Sequence, residues 1–292
     1  MRWGNSANGL ILLSSHLTTM NKRVILITGA SSGIGYEAAV LLSKQGHRVY
    51  GAARRVERMD PLRELGVVPV KLDVTDDASI VACVETVICN EGRIDILVNN
   101  AGYGYLGAIE NVTMAEARRQ MEVNLFGLAR LTQLVLPYMR KQHFGRIINT
   151  SSVAGKCVIL FGGWYNISKF SFEAFSDALR MEVRPFVIDV SIIEPGAIKT
   201  NWGLIAADNL QTSSRGTAYE TVGLKMASFM RRLYTGNLIS GSGAVAKAIT
   251  RAANARCPRA RYRVGRGARA MLFLHALLPA RCWDFFARMT GK

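Results

Sequence analysis

The sequence predicts a single α/β domain built on a doubly wound parallel sheet. Short apolar runs rich in β-branched residues alternate with stretches of helical spacing from residue 23 to about residue 265. Runs of this kind are typical of parallel strands that are covered by helices on both faces. No linker, internal repeat or low-complexity segment divides the chain, and 292 residues with 49% hydrophobic content can form one sizeable core.

The individual elements follow from apolar spacing and from the residues that end each run. The predicted strands are Val24–Thr28, Arg48–Ala53, Val67–Leu72, Ile94–Asn99, Gly145–Thr150, Val187–Glu194 and Tyr262–Val264. The predicted helices are Ile34–Gln45, Pro61–Leu65, Asp77–Glu91, Thr113–Arg140 and Ile167–Arg184. Ala197–Gly236 is mixed and partly amphipathic, and an insertion at this carboxyl edge is well placed to cover a ligand.

Two terminal segments fall outside this alternation. Residues 1–21 precede the first strand and are expected to be a disordered extension of the domain over 22–265. Residues 266–292 form a basic, apolar segment that is expected to be helical. Packing on the domain, a dimer contact and association with a membrane surface all remain open for it.

Charge is distributed unevenly along the chain. The net charge is +16, and between Arg251 and Lys292 ten basic residues face one acid, Asp284. Such a patch attracts phosphates, nucleic acid or anionic lipid. Proteins that read bases usually add interleaved aromatics or a known module, and neither is found here, so no nucleic-acid partner is expected.

Cysteine and histidine spacing indicates neither a disulfide framework nor a metal site. The five cysteines are scattered with no CxxC pair, and the four histidines show no ligand spacing. We therefore expect no metal and a reducing, cytoplasmic location, with peripheral membrane attachment left open. No apolar run approaches the roughly 18 residues that span a bilayer.

A glycine-rich loop follows the first strand and opens the first helix. Gly29, Gly33 and Gly35 permit a tight turn and a close approach of backbone to a pyrophosphate. The start of the helix then supplies free N–H groups and a positive dipole. Strand two ends in Arg54 and Arg55 without a carboxylate, which favours a nucleotide bearing a 2′-phosphate, NADP(H), over NAD(H).

Tyr165 and Lys169 are four residues apart, so a helix places both side chains on one face. A phenol with a pKa of about 10 is a poor base at neutral pH. A nearby ammonium lowers that pKa, after which the phenol can exchange a proton with a carbonyl oxygen. The spacing therefore predicts an acid–base pair.

Taken together in order, these motifs resemble the short-chain dehydrogenase/reductase family, which has a Rossmann-type fold. The resemblance covers residues 23 to about 265 and rests on GxxxGxG, Asp73-Val74, Asn99-Asn100-Ala101-Gly102, Asn124, Ser151-Ser152, Tyr165-x-x-x-Lys169 and Pro195-Gly196. It implies a catalytic set of Asn124, Ser152, Tyr165 and Lys169, with Ser151 as the alternative serine. It also implies that Ser152 polarises the substrate carbonyl and that Asn124 anchors a water linked to Lys169.

The resemblance further implies which residues contact the nucleotide. The expected contacts are Gly29, Ser31, Ser32, Gly33, Ile34, Gly35, Arg54, Arg55, Asp73, Asn100, Ala101, Gly102, Tyr165, Lys169, Pro195, Gly196, Ile198 and Thr200. Arg54 is assigned to the 2′-phosphate, with Arg55 as a second contact. Asp73 is assigned to the adenine, Asn100 to the adenosine ribose, and Ile198 and Thr200 to the nicotinamide end.

The expected function is NADP(H)-dependent hydride transfer between the nicotinamide and a carbonyl/secondary-alcohol pair. A lipophilic substrate is indicated by Phe161, Trp164, Trp202, Met226, Phe229 and Met230. The layout is similar to the 17β-hydroxysteroid-dehydrogenase-like branch, which implies steroid, retinoid, fatty-acyl or xenobiotic ketones and aldehydes. The family resemblance also implies a homo-oligomer.

Two other functions remain open at this point. One is a non-catalytic NADP(H)-binding regulatory protein on the same fold. The other is a membrane-surface protein in which the basic tail is the functional element.

Overall fold

The computed structural model describes residues 22–289, so the extension predicted over residues 1–21 lies outside the described residues, as do residues 290–292. The strands are β1 (Val24–Thr28), β2 (Arg48–Ala53), β3 (Val68–Lys71), β4 (Ile96–Asn99), β5 (Gly145–Thr150), β6 (Ile188–Pro195), β7 (Ile198–Lys199), β8 (Ser240–Gly241) and β9 (Arg261–Val264). The helices are α1 (Gly33–Lys44), α2 (Asp60–Arg63), α3 (Asp77–Glu91), α4 (Met114–Met121), α5 (Gly127–Lys141), α6 (Gly163–Val183), α7 (Asn201–Ser214), α8 (Glu220–Thr235), α9 (Ser242–Asn254), α10 (Ala268–Leu277) and α11 (Ala280–Met289).

Seven of the strands form one sheet in the order β3-β2-β1-β4-β5-β6-β9, and all of its pairs are parallel. The strand order reverses between β1 and β4, so the connections that leave their carboxyl ends run to opposite faces of the sheet. A crevice at such a reversal is where open α/β sheets bind ligands. The doubly wound parallel sheet predicted from the sequence is confirmed.

Alternate residues of each strand supply the cores on the two faces of the sheet. Ile25 and Ile27 of β1 belong to a core that includes residues of α1 and α9. Leu26 belongs instead to the core that includes Leu128 of α5 and Phe172 of α6. Because each strand is buried on both faces, its apolar run is nearly continuous, which is why the strands could be read from the sequence.

The long helix predicted over Thr113–Arg140 is helical from residue 114 to residue 141, but its hydrogen-bonding pattern changes in the middle. The structure divides it into α4, a π-helical segment over Glu122–Phe126, and α5. A Cβ atom on Gly127 would lie 1.8 Å from the carbonyl oxygen of Val74, so the helix packs directly on the loop after β3 at this point. The π-helical segment carries Asn124, and such segments are frequent at functional sites.

The insertion after β6 is mostly helical. It holds the short strand β7 and the helices α7 and α8, which pack against each other and bury Ala206, Ala207 and Met226. The sequence analysis predicted that this insertion covers a ligand, but it did not predict that the insertion forms two separate helices. It also did not predict α9. Helix α2 is shorter than predicted and follows a 3₁₀ turn over Val56–Met59.

The C-terminal segment packs on the domain through α10 and α11. Trp283 is 6% exposed, and its indole N–H donates to the carbonyl oxygen of Val158 at 3.0 Å. Ala268, Leu272 and Trp283 share a core cluster with Val153 and Cys157, which lie just beyond β5. Within residues 22–289, no helix is both long enough and apolar enough to cross a bilayer.

Candidate active site

The glycine-rich loop between β1 and α1 forms a cradle of closely packed backbone. Gly33 has a φ of 59°, in the left-handed region that glycine tolerates best. A Cβ atom on Gly35 would lie 2.5 Å from the carbonyl oxygen of Gly29 and 2.6 Å from Nδ2 of Asn100. Ser32 caps α1 without a side-chain hydrogen bond, so the first N–H groups of the helix remain available to an anion. These residues fit a dinucleotide pyrophosphate.

Thr28 joins the glycine loop to the end of β4. Its hydroxyl oxygen accepts hydrogen bonds from the N–H groups of Asn100 and Ala101, both at 2.9 Å. The Asn100 side-chain amide donates to the carbonyl oxygen of Thr28 at 3.0 Å. The predicted residues Gly29, Gly35, Asn100 and Ala101 therefore meet at one edge. The sequence analysis did not assign a role to Thr28, although a polar residue at the end of a buried strand was a usable signal.

Two arginines follow β2 on the side of the loop where an adenosine would lie. Arg54 and Arg55 are exposed, and neither forms an ion pair with a carboxylate of the described residues. The carboxylate of Asp73 accepts hydrogen bonds from the N–H and the hydroxyl of Thr75. Burial acts to raise the pKa of Asp73, but these hydrogen bonds and the charge of Arg54 hold it below its usual value. The Arg54 side chain is thus exposed, with the carboxylate of Asp73 as a nearby charge.

Ser152 and Tyr165 come together where β5 ends and α6 begins. The Ser152 hydroxyl lies close enough to the phenol to lower the pKa of Tyr165. The Ser152 oxygen also accepts from the N–H of Ala154 at 3.1 Å, and its hydroxyl lies 3.4 Å from the carbonyl oxygen of Pro195. The hydroxyl of Ser151, the alternative serine, is buried without a hydrogen-bond partner among the described residues. The geometry therefore favours Ser152.

Lys169 lies one helical turn beyond Tyr165 and reaches the same edge. Its ammonium donates to the carbonyl oxygen of Thr150 at 3.0 Å, and the residue is 5% exposed. A Cβ atom on Gly102 would lie 3.7 Å from Nζ of Lys169 and 3.2 Å from Oδ1 of Asn124. Both polar groups therefore border Gly102. A side chain at that position would crowd them.

Asn124 is held by hydrogen bonds to the backbone and to α6. Its Oδ1 accepts from the N–H of Tyr103 at 3.0 Å, and its Nδ2 donates to the carbonyl oxygen of Tyr103 at 2.9 Å. Nδ2 also lies 3.0 Å from the hydroxyl oxygen of Ser168. Because Ser168 precedes Lys169 directly, Asn124 is fixed against the turn of α6 that carries the lysine.

Burial has the largest effect on the pKa values of Tyr165 and Lys169. The spacing of the two residues predicted instead that the ammonium lowers the pKa of the phenol. Burial raises the pKa of Tyr165 to about 12, against the hydrogen bond from Ser152, which lowers it. It also lowers the pKa of Lys169 to about 8, although the nearby carboxylate of Glu173 raises it. In the protein alone the phenol therefore remains protonated at neutral pH, so its hydroxyl is available as a proton donor.

An apolar wall faces Tyr165 from the insertion. The Tyr165 and Trp202 rings lie 5.0 Å apart, and Trp202 contacts Tyr234 in turn. Of the six side chains predicted to line a pocket, Phe161, Trp202, Met226 and Met230 share this cluster. Phe229 is instead 36% exposed, and Trp164 is not part of the cluster.

The remaining predicted contacts lie along the same edge. Gly196 donates its N–H to the carbonyl oxygen of Val264 at 2.8 Å, and Ile198 is 5% exposed. A Cβ atom on Gly33 would lie 3.5 Å from the methyl group of Thr200, so Thr200 borders the glycine loop. Ser31, Ser32 and Ile34 lie in that loop and at the start of α1.

Asn166 is a site residue that the sequence analysis missed. Its amide donates to the carbonyl oxygens of Ala154 at 2.7 Å and Cys157 at 2.9 Å. It therefore fixes the loop that follows Ser152 against the start of α6. A polar residue on the buried side of a helix, directly after Tyr165, was the signal. Cys157 itself is buried, and burial raises the pKa of its thiol to about 11, as an inert cysteine requires.

Residues 23–207 match the short chain dehydrogenase family. The chain belongs to the short-chain dehydrogenase/reductase family and is an oxidoreductase of that family. It is 35% identical over 265 residues to a probable short-chain type dehydrogenase/reductase VdlC of Helicobacter pylori, covering 91% of this chain and 96% of that protein. It is 45% identical over 184 residues to a 3-ketodihydrosphingosine reductase of Bacteroides thetaiotaomicron, covering 63% of this chain and 66% of that protein.

Solved structures with the same fold carry either nicotinamide dinucleotide. A short-chain dehydrogenase from Streptomyces avermitilis is 34% identical, with a TM-score of 0.75 and coverage of 87% of this chain and 92% of that one. A serine dehydrogenase complexed with NADP⁺ is 25% identical, with a TM-score of 0.72 and coverage of 83% and 94%. A Burkholderia phymatum enzyme in complex with NAD shares the fold at 24% identity, with a TM-score of 0.75 and coverage of 88% and 94%. Neighbours with this fold have therefore been solved with NAD and with NADP⁺.

Proposed function

We propose that this protein catalyses reversible hydride transfer between NADP(H) and the carbonyl/secondary-alcohol pair of a lipophilic substrate. The observation that carries the proposal is the meeting of Ser152, Tyr165 and Lys169 at the carboxyl edge of the sheet, beside the glycine loop. A bound nicotinamide supplies or accepts the hydride. A protein that only binds the nucleotide has no use for a buried phenol beside a serine and a lysine.

Residues of this chain transfer the proton and stabilise the charge that develops on the substrate oxygen. The Tyr165 hydroxyl gives its proton to the substrate oxygen in reduction and takes it back in oxidation. Ser152 donates a hydrogen bond to the same oxygen, which stabilises the charge that develops there. Lys169 returns a proton towards Tyr165 from the polar region that it shares with Asn124, and its lowered pKa of about 8 eases that loss.

Preference for NADP(H) over NAD(H) follows from the charges beyond β2. Arg54 and Arg55 are exposed, and no acid stands at the end of that strand. A guanidinium can bind a 2′-phosphate through two parallel hydrogen bonds, whereas a carboxylate at this point would repel it.

Replacing Arg54 with glutamine is expected to weaken NADPH turnover while leaving NADH turnover nearly unchanged. Because the variant cannot form the charge-assisted hydrogen bonds to the 2′-phosphate, kcat/KM for NADPH should fall by about tenfold or more. Steady-state rates with both cofactors measure the ratio, and Arg140→Gln, at an exposed arginine of α5, is the control. Equal losses with NADPH and NADH would show that Arg54 does not contact the 2′-phosphate.

A lipophilic substrate is supported by the wall that faces Tyr165. The Trp202 ring contacts the Tyr165 ring directly, and Met226 and Met230 belong to the same apolar cluster. The similarity to a 3-ketodihydrosphingosine reductase supports a long-chain ketone among the candidate substrates. Steroid, retinoid and xenobiotic carbonyls fit the same wall.

A substrate screen tests the proposed function. NADPH absorbance would be followed with 3-keto lipids, steroid ketones, retinal and small aromatic ketones, with NADH as the cofactor control. We expect the fastest turnover with NADPH and an apolar ketone or aldehyde. Tight NADPH binding without turnover of any carbonyl would favour the non-catalytic alternative.

The outer faces of α10 and α11 support membrane association, which remains a prediction. Phe273 and Leu277 of α10 are 68% and 64% exposed, and Phe285 of α11 is 64% exposed. Arg269 and Arg281 precede Phe273 and Phe285 by one turn on these faces. Apolar side chains flanked by arginines are typical of helices that lie on anionic membranes.

Replacing Phe273 and Phe285 with serine should therefore reduce co-sedimentation with vesicles containing anionic phospholipid by severalfold. Met181→Ser, at an exposed apolar residue of α6, is the matched control. If the double variant sedimented with vesicles as before but no longer formed a dimer in solution, the exposed face of α10 and α11 would be a contact between subunits. Homo-oligomerisation, the location in the cell and the absence of metal and nucleic-acid partners likewise stay predictions.

A further inference from the structure

A second cavity opens at the edge of the sheet opposite the candidate active site. Its volume is about 330 Å³, and its lining includes Arg23, His47, Phe144, Arg146 and Arg256 together with the end of α9. It lies where β1 and β5 begin, whereas Ser152 follows the far end of β5. Ser152 is six residues beyond Arg146, which separates the two sites by about 20 Å at the rise of a strand. The cavity is therefore distinct from the nucleotide crevice.

The charge of this cavity is positive, and the ion pair of Arg146 with Asp189 offsets it only in part. Three arginines line it, and none of the described residues in its lining is acidic. The guanidinium carbon of Arg23 lies 4.0 Å from the centroid of the Phe144 ring, and that of Arg146 lies 5.8 Å from it. Arg23 forms no ion pair with a carboxylate of the described residues. Like charges gathered around one concave surface attract an anion.

Arg146 is a buried charge whose hydrogen bonds are incomplete. It is 8% exposed, and its Nη1 donates to the carbonyl oxygens of Ala252 at 3.2 Å and Ala253 at 2.5 Å. Its Nε has no hydrogen-bond partner, since the nearest carboxylate oxygen, on Asp189, is 3.7 Å away. Burial lowers the pKa of Arg146, and the charge of Arg23 lowers it further, against the attraction of Asp189. Buried charges are ordinarily both paired and hydrogen-bonded, so an anion here would supply the hydrogen-bond acceptor that the 3.7 Å ion pair with Asp189 does not.

The other polar groups at this edge are already engaged. Asp95 is paired with Arg93 and accepts the N–H of Val24 at 2.8 Å. His47 contacts Oδ1 of Asn254 at 3.0 Å. Burial lowers the pKa of His47, and the charge of Arg23 lowers it further, against the hydrogen bond to Asn254. The positive charge that faces the cavity therefore comes from the arginines.

We propose that this cavity binds a phosphate group, carried by inorganic phosphate or by a small phosphomonoester, at a site separate from the nucleotide crevice. A dianion can offset more than one guanidinium, and the fork of an arginine matches two phosphate oxygens. The volume lies at the small end of the range for ligand pockets, so it admits an ester group beside the phosphate.

Calorimetric titration of the full chain, saturated with NADP⁺ to fill the glycine loop, tests this site. Inorganic phosphate and glycerol 3-phosphate are the soluble probes, measured against chloride at equal ionic strength. Vesicles containing phosphatidic acid, measured against neutral vesicles, distinguish a lipid headgroup from a free ester. We expect one phosphate site per chain, weakened about tenfold or more in Arg23→Gln and in Arg256→Gln.

Arg118→Gln is the matched control, because Arg118 is an exposed arginine of α4, a helix that contributes no residue to the lining of the cavity. It should bind phosphate as the unchanged protein does. Carbonyl reduction by Arg23→Gln should persist, so a failure of this site is distinguishable from a failure of the proposed enzyme. No saturable phosphate binding beyond chloride, or equal binding by the arginine variants and the unchanged protein, would overturn the proposal.

Discussion

Tyr165→Phe is expected to reduce kcat for carbonyl reduction by about 10²- to 10⁴-fold, the range that a positioned acid–base group contributes. The substitution removes the hydroxyl that donates the proton and keeps the ring that packs against Trp202 at 5.0 Å. The apolar cluster around the site should therefore survive, and the Kd of NADPH should change by no more than about twofold. Stopped-flow turnover and fluorescence titration of NADPH measure the two quantities.

Tyr219→Phe is the control for that loss. The Tyr219 ring packs edge-on against Phe161 at 6.1 Å and belongs to the same apolar cluster as Tyr165. Glu110 raises the pKa of the Tyr219 hydroxyl, and no residue of the proposed catalytic set contributes to that shift. Near-normal turnover is expected from this variant. If both variants lost activity equally, the effect would belong to packing and not to proton transfer.

Ser152→Ala is expected to lower kcat by about 10²- to 10³-fold, as removal of one donor to a developing oxyanion does elsewhere. Two effects add in the same direction here. The substrate oxygen loses a hydrogen-bond donor, and the Tyr165 phenol loses the hydrogen bond that lowers its pKa. Steady-state kinetics should show the loss in kcat, with NADPH affinity preserved.

Ser151→Ala distinguishes a specific role of Ser152 from a general disturbance of the end of β5. The Ser151 hydroxyl is buried and has no hydrogen-bond partner among the described residues. Its removal is therefore expected to leave turnover close to normal. A large loss in Ser151→Ala with little change in Ser152→Ala would reverse the choice between the two serines.

The parts of the site that lie close in sequence could be predicted. Tyr165 and Lys169 share a helix, so their spacing alone places them on one face. Gly29, Gly33 and Gly35 follow a buried strand, and the residues that follow other parallel strands must lie at the same edge. Apolar spacing along the chain and the residues that form turns are local properties, so they can be read without knowing the tertiary structure.

Contacts between distant segments could not be predicted. Trp283 reaches the carbonyl of Val158 across 125 residues of sequence, and no periodic pattern encodes that pairing. The π-helical turn at Asn124 was missed because the apolar spacing continues through it and because the close approach of Gly127 to Val74 depends on tertiary packing. The direction of the Tyr165 pKa was missed for a related reason, since burial is a property of the whole fold.

The most direct test of the proposed chemistry uses NADPH carrying deuterium at the transferable position of C4. A ketone found in the substrate screen would be reduced in single turnover, and its alcohol product analysed by mass spectrometry. Hydride transfer predicts one deuterium on the carbinol carbon with the unchanged protein and a far slower appearance of the same product with Tyr165→Phe. An alcohol without deuterium, or label retained in full on the bound nucleotide after incubation with every carbonyl that binds, would contradict it.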